Sequence, residues 1–301
     1  MRLPNVFTAV ADVSMGYLFV RGEVHSPLAL ALVISSSATL YTAGMVLNDL
    51  FDYAIDAKER PFRPLPSGQI CRHRAAILGL TLLVSGLAFG WLVGMLSSDA
   101  QLPWRSGLVA TSLAVCILAY DGFLKFTPLG PLGMGACRFL NVLLGMSAAA
   151  ESSPLAVAGG FSLAELLAAA GIGVYIIGIT LFARGEAGVS RRGLLLVAMS
   201  VMALGVILLG ASVFHHPALR MELGWYWLLL ALLMLPALRR CGKAALQPLP
   251  QNVQAAVKHS ILSLIWIDAA TAAAVAGPSH GVAVAALLIP ALLLGRWVYS
   301  T

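Results

Sequence analysis

The sequence predicts an all-α integral membrane protein with nine or ten transmembrane helices. Hydrophobic residues make up 59% of its 301 residues and charged residues only 11%, whereas a soluble domain carries about 25% charged residues. Long apolar runs recur along the chain, and its length holds nine or ten helices of about 20 residues with their connections. This composition excludes a disordered, collagen-like, coiled-coil or water-soluble protein.

Ten apolar runs predict ten spans. Each must be helical, because lipid offers a free backbone amide no hydrogen-bond partner. Asn5 and Asp12 interrupt the first run, and only residues 277–281 separate the last two. We expect residues 1–301 to form a single transmembrane domain. The spans are predicted at residues 3–20, 27–50, 75–97, 106–124, 131–150, 161–183, 193–213, 224–240, 258–277 and 281–298.

Lysine and arginine concentrate in alternate connections. The connections 51–74, 184–192 and 239–258 are rich in them, and the intervening ones are poor. Because positive residues mark cytoplasmic loops, these loops and the N-terminus are predicted to face the cytoplasm, across the inner (plasma) membrane if the cell is bacterial. The basic residues that give the net charge of +6 are therefore expected to set the topology and to bind anionic substrates. No nucleic-acid partner is expected. The four cysteines show no CxxC spacing and indicate neither a disulfide framework nor a metal knuckle.

The most polar stretch of the chain begins at the end of the second predicted span. On a helix with about 100° per residue, Asp52, Asp56 and Asp49 lie about 40°, 80° and 100° from Asn48. Carboxylates this close repel one another, and a divalent cation removes the conflict. Hard oxygen ligands suit Mg²⁺, which binds one or two carboxylates together with substrate phosphate. We therefore predict that Asn48, Asp49, Asp52 and Asp56 bind Mg²⁺ and that the three aspartates are catalytic.

Two arginines follow this acidic stretch. Arg63 stands in a turn stiffened by Pro64 and Pro66, and a guanidinium is well built to hold phosphate oxygens in a forked contact. Arg60 and Arg63 are therefore candidate substrate-binding residues. The alternative, that they serve only as topology signals, stays open.

Further ionisable residues lie inside the predicted spans, where their burial in lipid is costly and usually marks function. Arg138 and Asn141 share one face of the fifth span, and we expect both to point into a cavity near the acceptor or the diphosphate. An arginine satisfied by a neighbouring helix is the alternative. Asp12 and Asp268 are lone acids within their spans, with either a structural or a functional role.

The acidic stretch resembles the first aspartate-rich signature of the UbiA-type intramembrane prenyltransferases. The segment Arg2-x-x-Asn5 and the pair Tyr120 and Lys125 resemble further features of that family. The residues of the signature are Asn48-Asp49-x-x-Asp52-x-x-x-Asp56 followed by Arg63-Pro64-x-Pro66-x-Gly68.

The resemblance implies a bundle of about nine helices around a central cavity open to the cytoplasmic side and laterally to lipid. It further implies an enzyme in which Mg²⁺ and basic residues, with Tyr120 and Lys125 among the substrate-binding residues, hold the diphosphate of an allylic isoprenoid. An acceptor, commonly aromatic and otherwise lipid-like, then captures the allylic cation.

The family's second aspartate-rich motif is degenerate here. Residues 178–188 contain no aspartate, and Glu186 is their one carboxylate. We predict that Arg184 and Glu186 are catalytic residues at the cavity mouth opposite the first motif, with Arg184 contacting the diphosphate in place of a second Mg²⁺. The alternative is that Arg184 is simply an arginine at a cytoplasmic helix end.

Two other classes compete with a prenyltransferase. A CDP-alcohol phosphatidyltransferase would need a D-G-x-x-A-R run, and Asp121-Gly122 is followed instead by Phe123-Leu124-Lys125. A non-catalytic isoprenoid-binding or transport protein on the same fold gains support from the degenerate second motif. The intact first motif speaks against it, since lipid binding alone needs no phosphate-holding loop.

Overall fold

The computed structural model describes residues 3–96, 102–149, 157, 159–184 and 190–297, and within these ranges it contains helices and no strand. Arg2 and Glu186, both named above, lie outside the described residues. Short 3₁₀ turns at Leu3–Asn5 and Leu124–Phe126 supplement the α-helices. The α-helices are α1 (Val6–Arg21), α2 (Pro27–Phe51), α3 (Tyr53–Glu59), α4 (Arg72–Leu96), α5 (Arg105–Gly122), α6 (Gly130–Ala149), α7 (Leu163–Ala183), α8 (Arg192–Phe214), α9 (Leu223–Leu246), α10 (Pro250–Ala276), α11 (Pro278–Ala285) and α12 (Leu288–Trp297).

Helices occupy all ten predicted positions, and the prediction of an all-α membrane protein is confirmed at that level. Six segments among the described residues are long and apolar enough to cross a membrane, so the count of nine or ten crossings stays a prediction. The six are Pro27–Phe51, Arg72–Leu96, Leu163–Ala183, Arg192–Phe214, Pro250–Ala276 and Pro278–Gly295.

Two of the differences between the predicted and observed helix boundaries have a clear physical cause. Helix α10 begins at Pro250, well before the apolar run, because its first turns are polar and hydropathy detects only the apolar part. Proline suits a first helical position, where no N–H is needed. The last predicted span divides into α11 and α12. Pro290 has no N–H for the carbonyl of Ala286, and its ring clashes with that carbonyl, so the helix is interrupted just there.

Helix α1 lies in the middle of the bundle and packs against α2, α6 and α10. Its residues from Thr8 to Phe19 are buried, Asp12 among them. Asp12, which weakens the first apolar run in the sequence, therefore faces protein and not lipid. Helix α10 is its buried partner, with a continuous buried stretch from Ile267 to Ala276 in which alanine predominates.

Helices α1 and α6 touch backbone to backbone. A Cβ on Gly145 would lie 2.0 Å from the carbonyl oxygen of Val13, and one on Gly16 would lie 2.4 Å from that of Val142. Small residues at helix crossings permit this close approach within membranes. The contact brings the polar side chains of the two helices within hydrogen-bond distance of each other.

The loops rich in lysine and arginine lie at one end of the bundle, where Lys125, just after α5, pairs with Asp52 in the first of them. The Arg184 guanidinium donates to the carbonyl oxygens of Thr127 and Pro128, next to α6. The amide of Ser190 donates to the carbonyl of Pro248. The ends of α2, α5 and α7 and the start of α10 therefore lie together, and the candidate site opens among them.

Candidate active site

A cavity of about 280 Å³ lies between α1, α2, α5 and α6. One stripe of α2 lines it from Ser37 to Asn48, a depth of about 16 Å at about 1.5 Å per residue. Apolar side chains form most of its wall. The remaining lining residues are Ala9, Leu113, Ile117, Tyr120, Asp121, Met134, Cys137, Arg138 and Asn141.

Lys125 joins the mouth of this cavity to the first aspartate-rich motif. Its Nζ lies 2.6 Å from Asp52 Oδ1 and donates to Asn48 Oδ1 at 2.9 Å. The Asn48 amide donates in turn to Asp52 Oδ2 at 3.1 Å, as residues four apart on a helix can. The 3₁₀ turn at Leu124–Phe126 carries Lys125 back over the end of α5. The structure thus brings together Asn48, Asp52, Tyr120 and Lys125.

Asp49 and Asp56 face a second cavity of about 250 Å³, which Arg63, Pro64 and Arg74 also line. Asp56 is buried, and its Oδ2 accepts from Arg63 at 2.6 Å. The proline-rich turn holds Arg63 in place, with the amide of Ser67 donating to its carbonyl. Arg63 thus lies against the motif, as predicted.

The motif crosses a local break between α2 and α3 at Asp52. The amide of Asp52 still donates to the Asn48 carbonyl, and that of Asp56 to the Asp52 carbonyl, so the chain keeps a helical course. The predicted shared arc is nevertheless divided. Asn48 and Asp52 meet Lys125 at the first cavity, while Asp49 and Asp56 face the second.

The inner end of the first cavity is a polar network between α1, α2 and α6. Arg138 Nη1 donates to Asp12 Oδ2 at 2.6 Å, and its Nη2 donates to Thr8 Oγ1 at 2.8 Å. Asn141 donates to the carbonyl of Ala9 and accepts from Ser37 Oγ. Arg138 and Asn141 thus line the cavity, and Arg138 is also satisfied by a neighbouring helix. Their place near the acceptor or the diphosphate stays a prediction.

Other predicted site residues lie further from the cavities. Arg184 is exposed, and its guanidinium donates hydrogen bonds to the loop carbonyls of Thr127 and Pro128. Its contact with a diphosphate stays a prediction, and so does the role of Glu186. Arg60 is exposed after α3 and lines neither of the two cavities described here.

Sequence reasoning missed two residues of the first cavity. Asp121 follows Tyr120 directly and is only 4% exposed. An acidic residue near the end of a predicted span is visible in the sequence and could have identified it. Tyr41 lies under Arg138, with Cζ 5.2 Å from its ring centroid. A tyrosine on an apolar stripe gives no comparable signal.

The charges at the two cavity mouths balance. Three carboxylates, those of Asp49, Asp52 and Asp56, face the three cations of Lys125, Arg63 and Arg74. A diphosphate bound here would bring unbalanced negative charge, which a divalent cation would neutralise. In the described part of the chain no three Asp, Glu, His or Cys side chains converge on one point. These oxygens fit Mg²⁺ as a partial ligand set that substrate phosphate completes.

The fold and the site together define a multi-pass α-helical membrane protein with a charged cavity mouth above an apolar chamber. This chain belongs to the UbiA prenyltransferase family, whose family model matches residues 9–262. The resemblance seen in the sequence is thereby confirmed.

Related proteins and structures agree with this assignment. A digeranylgeranylglyceryl phosphate synthase from Ignicoccus hospitalis is 34% identical over 50% of this chain and 46% of its own length. One from Methanothermobacter thermautotrophicus is 34% identical over 42% of this chain and 40% of its own. The chain thus spans less than half the length of these curated relatives.

Solved structures share the fold. A UbiA homologue from Aeropyrum pernix superposes with a TM-score of 0.70 at 19% identity, over 90% of this chain and 98% of that one. A UbiA homologue from Archaeoglobus fulgidus, bound to DMAPP and Mg²⁺, gives a TM-score of 0.55 at 15% identity, over 95% of this chain and 99% of that one.

Proposed function

We propose that this protein transfers a prenyl group from an allylic isoprenoid diphosphate to an acceptor within the membrane. The observation that carries the proposal is the cluster of Asn48, Asp52 and Lys125 at the mouth of the first cavity. The cluster places a carboxylate and a cation at the edge of an apolar chamber. A substrate with an anionic head and a hydrocarbon tail can bind its head at the charged edge and its tail in the chamber.

The cations at the mouth hold the diphosphate. Lys125 supplies a compact charge, and Arg63 supplies a fork of donors that matches phosphate oxygens. Asn48, Asp49, Asp52 and Asp56 provide the oxygens for Mg²⁺, which when bound neutralises the charge on the departing diphosphate. Binding loosens the pairs that Asp52 and Asp56 now make with their cations, so that carboxylates and cations both face the ligand.

The chamber below the mouth protects the reacting carbon. The chamber is lined by the apolar side chains of Met45, Leu113, Ile117 and Met134. These side chains exclude water, which would otherwise react with the allylic cation. Arg138 and Asn141 form a polar floor, against which the polar group of the acceptor rests. The Arg138 charge is already matched by Asp12, so its remaining N–H groups donate hydrogen bonds without adding net charge.

The acceptor we favour is a lipid-like alcohol, a glyceryl phosphate. The relatives are named for a glyceryl phosphate that carries two geranylgeranyl groups. Such a molecule would turn its hydroxyl towards the reacting carbon below the mouth. An aromatic acceptor is the competing outcome in the test below.

The cavity faces the cytoplasm, because its mouth lies among the loops rich in lysine and arginine.

The test uses purified protein with radiolabelled geranylgeranyl diphosphate, Mg²⁺ and either geranylgeranylglyceryl phosphate or 4-hydroxybenzoate. We expect diphosphate release and a labelled ether with the first acceptor. Labelled 4-hydroxybenzoate would instead identify an aromatic acceptor. Binding without diphosphate release would contradict the proposal and favour a non-catalytic isoprenoid-binding or transport protein.

Asp52→Ala and Asp56→Ala test the motif itself. We expect each to weaken Mg²⁺-dependent binding of geranylgeranyl diphosphate at least tenfold, because each removes an oxygen ligand of the metal. Circular dichroism checks that each variant is folded before its binding is measured. Glu59→Gln, which neutralises an exposed acid on α3, is the matched control. Unchanged affinity in both alanine variants would refute the metal assignment.

A further inference from the structure

Asp121 is the one carboxylate among the described residues that line the first cavity. It lies in the last turn of α5 and is 4% exposed. The aspartate-rich motif does not include it. A carboxylate buried in the wall of a chamber within the membrane is a candidate for a role in the chemistry.

Its depth in the cavity can be read from the facing helix. Asp121 Oδ2 lies 3.7 Å from the position that a Cβ would take on Gly44. Gly44 is one turn of α2 below Asn48, or about 6 Å at about 1.5 Å per residue. With the diphosphate bound at Asn48 and Lys125, as proposed above, the first carbon of the prenyl chain would lie at about this level. In that pose the carboxylate would stand near the bond that breaks.

The other polar groups of the wall are poor proton acceptors at neutral pH. The Tyr41 and Tyr120 hydroxyls and the Cys137 thiol hold their protons under ordinary conditions. Arg138 is a cation paired with Asp12, and Asn141 is an amide. A carboxylate is the group suited to general-base work.

We infer that Asp121 is the catalytic base that takes the proton released by the acceptor. The inference rests on the proposed function and deepens it. The bond between the first prenyl carbon and the diphosphate oxygen breaks, and the electron pair leaves with the diphosphate. The acceptor hydroxyl oxygen forms the new bond to that carbon. Its proton passes to the Asp121 carboxylate, which releases it to water at the mouth when the products leave.

The experiment compares wild type, Asp121→Asn and Asp121→Glu in single turnovers with radiolabelled geranylgeranyl diphosphate, Mg²⁺ and the acceptor that wild type uses. Three quantities are measured: binding of the diphosphate, the transfer product and geranylgeraniol from hydrolysis. General-base catalysis contributes about 10²–10⁴-fold. We expect Asp121→Asn to bind within twofold of wild type, to lose transfer at least 100-fold and to divert substrate to geranylgeraniol. Asp121→Glu should recover transfer at least tenfold over the asparagine variant.

The outcomes separate this inference from the proposed function. If wild type transfers to no acceptor, the proposed function fails. If wild type transfers and Asp121→Asn loses less than tenfold, or loses binding of the diphosphate, the assignment of the base is overturned. Glu59→Gln controls for the loss of a carboxylate elsewhere. If Asp121→Asn does not fold, Asp121→Ala with added formate replaces it, and transfer that does not rise with formate overturns the assignment.

Discussion

Arg138 and Asp12 form an ion pair in the interior of the bundle, 2.6 Å apart, with side chains 7% and 0% exposed. Two charges this deep are stable only because each compensates the other, with Thr8 accepting a further hydrogen bond from Arg138 and Asn141 donating one to Asp12. Removing one partner leaves an uncompensated buried charge, which costs far more than the pair itself contributes. The residues at the cavity floor therefore hold the fold as well as the site.

Arg138→Ala is expected to destabilise the protein by about 3–5 kcal/mol, because Asp12 is left buried without a cation. Unfolding in mixed detergent micelles, followed by circular dichroism, measures the free-energy change. Arg60→Ala, at an exposed arginine, should stay within about 0.5 kcal/mol of wild type.

A double-mutant cycle separates the pair from its surroundings. The variant that combines Arg138→Met with Asp12→Leu should lose less than the sum of the two single variants, because neither charge is left alone. Additive losses would show that the two side chains do not act as a pair.

At the scale of helices, the crossing of α1 and α6 positions the floor of the cavity. Gly16 and Gly145 allow the two backbones to touch, so that α1 can offer Thr8 and Asp12 to Arg138 on α6. The sequence shows these glycines but does not show that they face each other. Glycine is needed at these two positions because a side chain would collide with the facing helix. No turn or positive φ requires it there.

Gly145→Ala should destabilise the fold by about 1–3 kcal/mol, the usual range for overpacking, since its Cβ would lie 2.0 Å from the carbonyl oxygen of Val13. The same detergent unfolding measures it. Gly242→Ala is the matched control, because nothing lies within 4 Å of a Cβ there and alanine favours a helix. Equal stability of the two variants would contradict the close packing of α1 and α6.

At the scale of the whole molecule, the three basic loops lie at the same end of the bundle as the opening of the site. Cys71 lies in the first of them, exposed at the start of α4. Hydrogen bonds from the backbone amides of His73 and then Arg74 lower the pKa of its thiol below its usual value. A thiol with a lowered pKa reacts quickly with maleimides, and Cys71 is therefore a native probe of orientation.

We expect an impermeant maleimide to leave Cys71 unlabelled in intact cells and to label it after permeabilisation, because the excess of lysine and arginine predicts that the loop 51–74 faces the cytoplasm. Mass spectrometry of the tryptic peptide measures the modification, and Cys71→Ser gives the background. Labelling from outside intact cells would show that the orientation is inverted.

The sequence by itself determined the class of fold, the positions of the helices and the motif of Asn48, Asp52 and Asp56. Hydropathy and local spacing carry that information because lipid enforces helices and a helix fixes its own angular pattern. Only the tertiary structure decided which charges pair. Lys125 reaches Asp52 across 73 positions, Arg138 reaches Asp12 across 126, and Arg184 turns to the loop after α5. Such pairings depend on how helices cross, and crossings are set by side-chain packing between segments that are distant in the chain.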